Sequence, residues 1–399
     1  MTTWMNWSGT QWCEPNDLRF VRSVADIQAI VAAANNRQGT VRVAASGHSH
    51  FGLIPTSDTV LDVSALSGVV SAHENQTTAE VWAATPIKVL GPALHRHNLA
   101  LANQGDIDQQ QIAGAISTGT HGTGVTLPNL SAALIGAQMV LASGDVIEVG
   151  SSDTNRSHPS SEASELWEAT RLSLGAVGVL TKLRLQLLPA YRLAEQGRRA
   201  SHDEARAMME TAPSEHRHFE FFWFPHDDSA VVKIIDETDA PPSYPLAPEG
   251  RRQAWSYEVF PNHRPDKHTE MEYSVPLERG PACFDEIRAL IRRDFSDLQW
   301  PVEYRTLAAD DIWISTASHR PTATISVHIG VESNDEPFFR ACEEVFLSFD
   351  GRPHWGKVHY LDSDQLAAAY PRWQDWWAVR DRVDPKGTFL NDRLAQLRP

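Results

Sequence analysis

The sequence predicts an α+β protein of two domains. Three observations carry that expectation. Short apolar strands alternate with amphipathic helices in the first part of the chain, one long alternating strand closes at Pro189, and a second set of strands and helices follows it. The 399 residues suffice for two or three domains with real cores.

Taken in order, Ser23 caps a predicted helix with Ile27, Ile30, Val31 and Ala34 on one face, and Asn35-Asn36 and Gly39 end it. Residues 40–44 alternate as a strand and run into Ala45-Ser46-Gly47-His48-Ser49-His50-Phe51. Residues 60–63 and 79–83 are further short strands, and Pro86 suits the first turn of a helix ending near His97-Asn98. Residues 133–142 and 145–149 form a hairpin turned by Ser143-Gly144, and 162–172 are helical. Beyond Gly175-Ala176-Val177-Gly178 a strand sets Leu183, Leu185 and Leu187 on one side and Lys182, Arg184 and Gln186 on the other. The first domain boundary is placed at Pro189, which closes that strand.

The second domain opens with Phe219-Glu220-Phe221-Phe222-Trp223-Phe224, turned at 225–229 to pair with 230–235. Residues 236–268, Pro-rich and polar, read as an irregular loop. A strand at 272–276, a helix to about Phe295, strands at 302–307 and 322–332 and a helix over 336–349 follow. The segment 363–397 is helical, with Trp373, Trp376, Trp377, Arg380 and Val383 on one face.

Composition narrows the function. With 35 basic and 51 acidic residues the net charge is −16, which repels phosphate backbones and argues against nucleic acid as a partner. No apolar run is long enough to suggest a membrane helix, and Met1-Thr2-Thr3-Trp4-Met5-Asn6-Trp7 lacks the features of a secretory signal. Cys13, Cys283 and Cys342 are too scattered for a disulfide framework or a zinc cluster, so no metal and a cytoplasmic location are expected.

The stretch Ile112-Ala113-Gly114-Ala115-Ile116-Ser117-Thr118-Gly119-Thr120-His121-Gly122-Thr123-Gly124 is almost all small residues and hydroxyls. Such a stretch suits a concave anion site, with a diphosphate as natural guest, or a closely packed buried loop. It is neither a P-loop nor a G-x-G-x-x-G turn. His48, between Gly47 and Ser49 at a strand end, offers an exposed nucleophilic nitrogen or is a loop histidine satisfied locally; His50 and His121 read as structural. Glu303 and Arg305 share a strand face, suited to orienting a polar substrate or to a surface ion pair. Ser326, His328 and Gly330 oppose apolar odd positions, as a pocket wall or a solvated face would. In Arg352-Pro353-His354-Trp355-Gly356-Lys357 aromatics crowd a lysine, either a fixed charge in a dry site or a loop lysine at the surface.

Ser46-Gly47-His48-Ser49, the 113–124 stretch, Glu303-x-Arg305-Thr306, His354-Trp355-Gly356-Lys357 and Asp384-Pro385-x-Gly387-x-Phe389-x-Asn391 occur in one order. That order resembles the alditol oxidase and sugar-1,4-lactone oxidase family of the vanillyl-alcohol oxidase superfamily, from about Asn6 to Leu397. The resemblance implies a two-part PCMH-type FAD-binding domain in 1–189, an α+β substrate-binding cap in 190–365 and a helical segment, 366–399, that returns to the FAD domain. It implies that His48 carries FAD covalently through the flavin 8α methyl group. With no cysteine between Cys13 and Cys283, a single link is expected. By the same resemblance Ser46, Gly47, Ser49, Gly114, Ser117, Thr118, Gly119, Thr120 and Gly124 hold the ADP part, and Gly178 and Val179 touch the adenine side. Glu303, Arg305, His328 and Lys357 surround the flavin ring and substrate as the catalytic group. The implied reaction is hydride transfer from a C–OH carbon of a sugar alcohol or related polyol to flavin N5, with dioxygen reoxidising the flavin to give hydrogen peroxide. In it Lys357 and Arg305 stabilise charge near flavin N1, and Glu303 and His328 bind sugar hydroxyls. An aldono-1,4-lactone substrate, or a dehydrogenase with another acceptor, is the alternative. Gly105 stands where the family controls oxygen access, and its small size favours an oxidase. Two residues depart from the pattern. His50 precedes Phe51 where the family has Phe, and Asp106, with Asp108 near it, replaces a substrate-touching serine of alditol oxidases. Asp106 is expected to make the substrate mouth acidic, favouring a cationic or differently hydroxylated substrate. A monomer or weak homo-oligomer is expected.

Overall fold

The computed structural model describes residues 3–151 and 162–399; Met1 and Thr2, part of the N-terminal stretch read above, and 152–161 lie outside the described residues. Three strands, β1 (Asp17–Phe20), β2 (Val41–Ala44) and β3 (Thr59–Asp62), form a parallel sheet in the order β1-β3-β2. Helix α1 (Val24–Asn36) links β1 to β2 and is opened by a capping box: Asp26 N donates to Ser23 Oγ, and Ser23 N donates to the Asp26 carboxylate. Its Ile27, Val31 and Ala34 are buried, the face that the apolar spacing predicts.

A five-stranded antiparallel sheet follows. It comprises β4 (Val69–His73), β5 (Thr78–Trp82), β6 (Leu134–Val140), β7 (Val146–Gly150) and β8 (Val179–Gln186), ordered β7-β6-β8-β5-β4. Leu183 and Leu185 of β8 point into the core while Arg184 and Gln186 stay exposed. Helices α2 (Ile87–His95), α3 (Ile112–Ser117) and α4 (Glu162–Arg171) pack on this core.

The third sheet has eight strands, all paired antiparallel. They are β9 (Arg192–Ser201), β10 (His218–Phe224), β11 (Ser229–Glu237), β12 (Gln253–Trp255), β13 (His268–Pro276), β14 (Val302–Leu307), β15 (Thr322–Gly330) and β16 (Arg352–Pro353), ordered β12-β9-β11-β10-β14-β15-β13-β16. Helix α5 (His202–Glu215) covers one end of it, while α6 (Gly280–Asp294) and α7 (Glu336–Ser348) complete the helical layer. Because strand side chains alternate, one sheet face carries Phe221, Trp223, Met271, Tyr304 and Ile325, packed with Phe284 and Phe339 of the helices. The opposite face carries Glu220, Lys233, Glu270, Glu272, Glu303 and Arg305, all buried.

Some elements differ from expectation. The 190–217 region, for which no element is predicted, holds β9 and α5, the latter opened by the Ser201–Glu204 capping box. The expected loop at 236–268 contains β12 and a helical turn at Ser256–Val259. The C-terminal segment is three helices, α8 (Ser363–Ala369), α9 (Trp373–Val383) and α10 (Asp392–Ala395), because Pro371 and Pro385 cannot donate the backbone hydrogen bonds of a continuous helix. Trp373, Trp376 and Trp377 of α9 join the core of the five-stranded sheet, and Trp355 stacks on Trp373 at 5.4 Å.

Arg42 of β2 ties these parts together. Its side chain, 1% exposed, donates to Leu53 O at 2.7 Å, to Gly175 O and Leu174 O at 2.8 Å, and to Phe389 O. Burial, helped by Arg380, lowers its pKa to about 9. Replacing it strands several buried carbonyls, each costing about 1–3 kcal/mol. Arg42→Met should therefore destabilise the protein by about 3 kcal/mol or more in urea unfolding. Arg42→Lys should recover only part of that, since an ammonium lacks the guanidinium fork.

Candidate functional site

The loop after β2 is pinned on both sides. Trp7 N donates to Gly47 O at 2.7 Å, and His50 N donates to Gly356 O at 2.7 Å. Gly47 has φ +69, and a Cβ there would lie 3.2 Å from Asn6 Cα, so the turn needs glycine. A narrow slot of about 120 Å³ opens beside this loop. Ser46, Gly47, His48, Ser49, Gly114, Ser117, Thr118, Gly178 and Val179 all line it. At Gly114 the walls are so close that a Cβ would meet Ala45 Cβ at 3.2 Å.

The slot opens into a chamber of about 720 Å³, lined by Gly105, Asp106, Thr120, Glu303, Arg305, His328 and Lys357. His48, Ser49, Gln110 and Thr118 line both spaces, so His48 stands at their junction. Two expected residues line neither. Gly119 follows the end of α3 as a turn, and Gly124 lies against β14, its N donating to Thr306 O at 2.8 Å.

His48 stacks on Trp7, with centroids 5.6 Å apart. Burial, with Lys357 and His268 adding positive charge, lowers its pKa to about 4 and leaves a neutral imidazole. The histidine side of the chamber centres on Glu270 of β13. Its carboxylate pairs with Lys357 and lies 3.6 Å from His328 Nε2, 3.8 Å from His268 Nε2 and 3.9 Å from His50 Nε2. Burial opposes that charge, but Lys357 and His328 hold Glu270 well below the usual carboxylate range. Next on the same face, Glu272 meets His121 Nε2 at 2.8 Å and accepts from Ser326 Oγ at 2.7 Å. His121 Nδ1 faces Gly122 O at 2.8 Å, so both ring nitrogens face acceptors; burial opposes its charge, but Glu272 raises its pKa.

The guanidinium side centres on Arg305. It meets Glu303 at 2.5 Å, Glu220 at 2.9 Å and Asp106 at 3.3 Å. Burial pushes the Glu303 carboxyl up to about 8; Arg305 opposes this, and Glu220, Asp106 and Glu270 add to it. Asp106 also meets Arg264 at 3.0 Å and Lys233 at 3.5 Å. Burial opposes its charge, but these cations hold it well below the usual carboxylate range. The expected acidic mouth is therefore corrected: three cations neutralise Asp106, and it offers no free charge to a cationic substrate. Glu220, Lys233, Glu270 and Glu272 complete the site without belonging to any of the motifs. Their signal is polar residues at alternate positions in otherwise apolar strands, as in His268-Thr269-Glu270-Met271-Glu272-Tyr273.

A family model described as D-arabinono-1,4-lactone oxidase matches residues 183–255 and 248–397, and one described as FAD binding domain matches 15–150. The chain is 33% identical to the L-gulono-1,4-lactone dehydrogenase of Mycobacterium tuberculosis, over 98% of this chain and 97% of that one. It is 28% identical to the alditol oxidase of a Streptomyces species, over 88% and 89%. Among solved structures, cholesterol oxidase from B. sterolicum shares the fold with a TM-score of 0.85 at 16% identity, over 100% of this chain and 96% of that one.

The tight approach at Gly114 yields a prediction. Gly114→Leu should place a side chain across the slot, so that the purified protein keeps its circular dichroism but loses most of its flavin-to-protein absorbance ratio.

Proposed function

We propose that this chain, which belongs to the D-arabinono-1,4-lactone oxidase family and carries that family's FAD-binding domain, oxidises a CH–OH carbon of a sugar-derived lactone or polyol with FAD linked to His48. The observation that carries this reading is the neutral His48 at the junction of slot and chamber, opposite a wall of paired charges. The residues fit FAD. Gly47 and Gly114 leave a cradle that a Cβ would crowd, and Ser46, Ser49, Ser117 and Thr118 bring hydroxyls to it. The neutral imidazole retains a lone pair for a covalent bond. Gly178 and Val179, lining the slot, take the adenine side in this reading, and Thr120 and Gly105 line the chamber.

Bound FAD supplies the hydride acceptor. The chain's own residues bind and orient the substrate. Lys357, anchored by Glu270, and Arg305, anchored by Glu220, are fixed positive charges in a buried wall, where preorganised charge is effective. Glu303 and His328 reach the sugar hydroxyls, and the Glu303 carboxylate accepts the departing hydroxyl proton. The domain reading is 1–189 for FAD, 190–365 for the cap and 366–399 for the return. The distinct core of the eight-stranded sheet supports the cap, and the tryptophans of α9 in the core of the five-stranded sheet support the return; Ile312, Trp313, Ile314, Trp355 and Leu361 of 190–365 also pack into that latter core.

The relatives support two substrate readings. Identity to the L-gulono-1,4-lactone dehydrogenase favours an aldono-1,4-lactone, and identity to the alditol oxidase favours the open-chain alditol. Dioxygen is the proposed acceptor, supported by the small Gly105 on the chamber wall. A cytoplasmic location is supported by three free, buried cysteines, and a monomer or weak oligomer is proposed with it; among the described residues no helix is long and apolar enough to cross a membrane.

The first test is acid precipitation of purified protein. Yellow colour should stay in the pellet for the wild type and pass to the supernatant for His48→Ala; release from the wild type would limit His48 to non-covalent binding. A panel of aldonolactones and alditols, assayed for peroxide and for dye reduction, then assigns substrate and acceptor. Lys357→Met should keep its flavin yet slow anaerobic bleaching by substrate about 100-fold or more. Bleaching at the wild-type rate would remove Lys357 from the mechanism.

A further inference from the structure

Arg305 is shared among three carboxylates, and its sharing governs the one that has no other cation. Its Nη2 lies 2.5 Å from Glu303 Oε1 and 3.3 Å from Asp106 Oδ1, and its Nε donates to Glu220 Oε2 at 2.9 Å. Lys233 is the register partner of Glu220 across the β10–β11 pair. Its ammonium, buried like Glu220 and Glu195, lies 3.0 Å from Glu220, 3.7 Å from Glu195 and 3.5 Å from the half-buried Asp106. Arg252 takes Glu195 with two prongs at 2.6 and 2.7 Å, and Arg264 joins Asp106 to Glu249, each at 3.0 Å. The network thus sets Asp106, Glu195, Glu220, Glu249 and Glu303 against Lys233, Arg252, Arg264 and Arg305, one carboxyl more than there are cations. Asp106 has three cationic partners, and Glu220 and Glu195 have two each. Among the described residues Glu249 and Glu303 have one each, Arg264 and Arg305, and of these two Glu249 is exposed and Glu303 buried.

We propose that Asp106 and Lys233 are positioning residues that set the charge state of Glu303 through Arg305, Asp106 drawing the guanidinium away from Glu303 and Lys233 returning it by neutralising Asp106 and Glu220. Neither residue needs to touch the substrate to do this. The groups facing Glu303 are Arg305 on its own strand, Glu220 from β10, Ser326 and His328 from β15, Glu270 and Glu272 from β13, and Asp106, Arg264 and Lys357 from the loops that complete the chamber. Burial is the main cause of the raised Glu303 value of about 8; Arg305 opposes it, and the neighbouring carboxylates Glu220, Asp106 and Glu270 add to it. The catalytic consequence rests on the proposed function, since Glu303 there accepts the substrate proton; the charge coupling itself does not.

The sign differs for the two residues. Asp106→Asn removes a negative charge and one competitor for Arg305, so ionised Glu303 is favoured and its titration midpoint falls. Lys233→Met removes a positive charge and leaves Asp106 and Glu220 to Arg305, so ionised Glu303 is disfavoured and its midpoint rises. Neighbouring charges at these distances move a buried carboxyl by about one pH unit or more. A merely structural role would let water in and lower both midpoints together.

The test is an infrared pH titration of the carboxyl C=O stretch in the holoenzyme, with Glu303 assigned by its loss in E303Q. The expected result is a fall in D106N, a rise in K233M and recovery of the wild-type midpoint in K233R. Midpoints that move the same way or do not move, or a titrating band that survives E303Q, would overturn the proposal. If K233M does not fold, K233Q removes the same charge. The readout needs no turnover, so a panel without activity would sink the proposed function and leave this result standing. If turnover is found, the pH profile of kcat/KM should move with the infrared midpoint in each variant.

Discussion

One sheet with two opposite environments is the constraint on which the rest depends. Tyr304 and Arg305 are neighbours in sequence, yet one packs among the aromatic rings of the helical layer and the other lies among carboxylates. Taking a carboxylate or ammonium out of water costs several kcal/mol per ion even after relaxation, so every charge on the chamber face needs its counter-charge. Register, pairing and cavity are therefore one problem. A one-residue slip of β14 would drive Glu303 and Arg305 into the helices and Tyr304 into the chamber. The aromatic packing on one face and the ion pairs on the other both forbid it.

The first half of the chain solves a different problem, holding a loop still beside a slot. The backbone of 45–50 is held by Trp7 on one side and Gly356 on the other, and Ser46 Oγ donates to Gln109 O at 2.6 Å. Gly356 follows Trp355, whose indole stacks into the tryptophan core of the C-terminal segment. Arg42 then clamps the strand before the loop to Gly175 and Phe389. The loop bearing His48 is thus fixed by segments from the start, middle and end of the chain, which holds the imidazole in place between slot and chamber.

The fold was legible in the sequence wherever one face was apolar. The 3.6-residue spacing of α1 and the alternation in β8 put Ile27, Val31, Ala34, Leu183 and Leu185 in the core, where the structure buries them, with Ile30 partly buried beside them. It was illegible where polar residues are buried on purpose. In β9, Arg192-Leu193-Ala194-Glu195-Gln196-Gly197-Arg198-Arg199 has too few apolar positions to signal a strand, and Glu195 is buried because Arg252 and Lys233 arrive from distant segments. The site divided the same way. Motif residues such as His48, Glu303, Arg305 and Lys357 could be named, and the structure gathers them around one cavity. Their partners could not, because a salt bridge between residues 106 and 233 leaves no periodic trace in either strand or loop.

The pairing scheme also bears on what the chamber can accept. Asp106 looks like a free anion in sequence, and Arg305 and Lys357 look like free cations, yet each is already matched. Glu272 is matched by His121, and Glu303, pushed up by burial, has Arg305 beside it. An ionic substrate would have to shed its hydration shell and find its intended partner occupied. A neutral polyol or lactone meets neither obstacle. Its hydroxyls exchange hydrogen bonds with water for hydrogen bonds with groups already oriented by their own counter-charges, and orientation, more than net field, is what those groups supply. A chamber balanced in charge and dense in fixed donors and acceptors therefore favours an uncharged sugar derivative, and makes the identity of residue 106 less decisive for substrate choice than its partners.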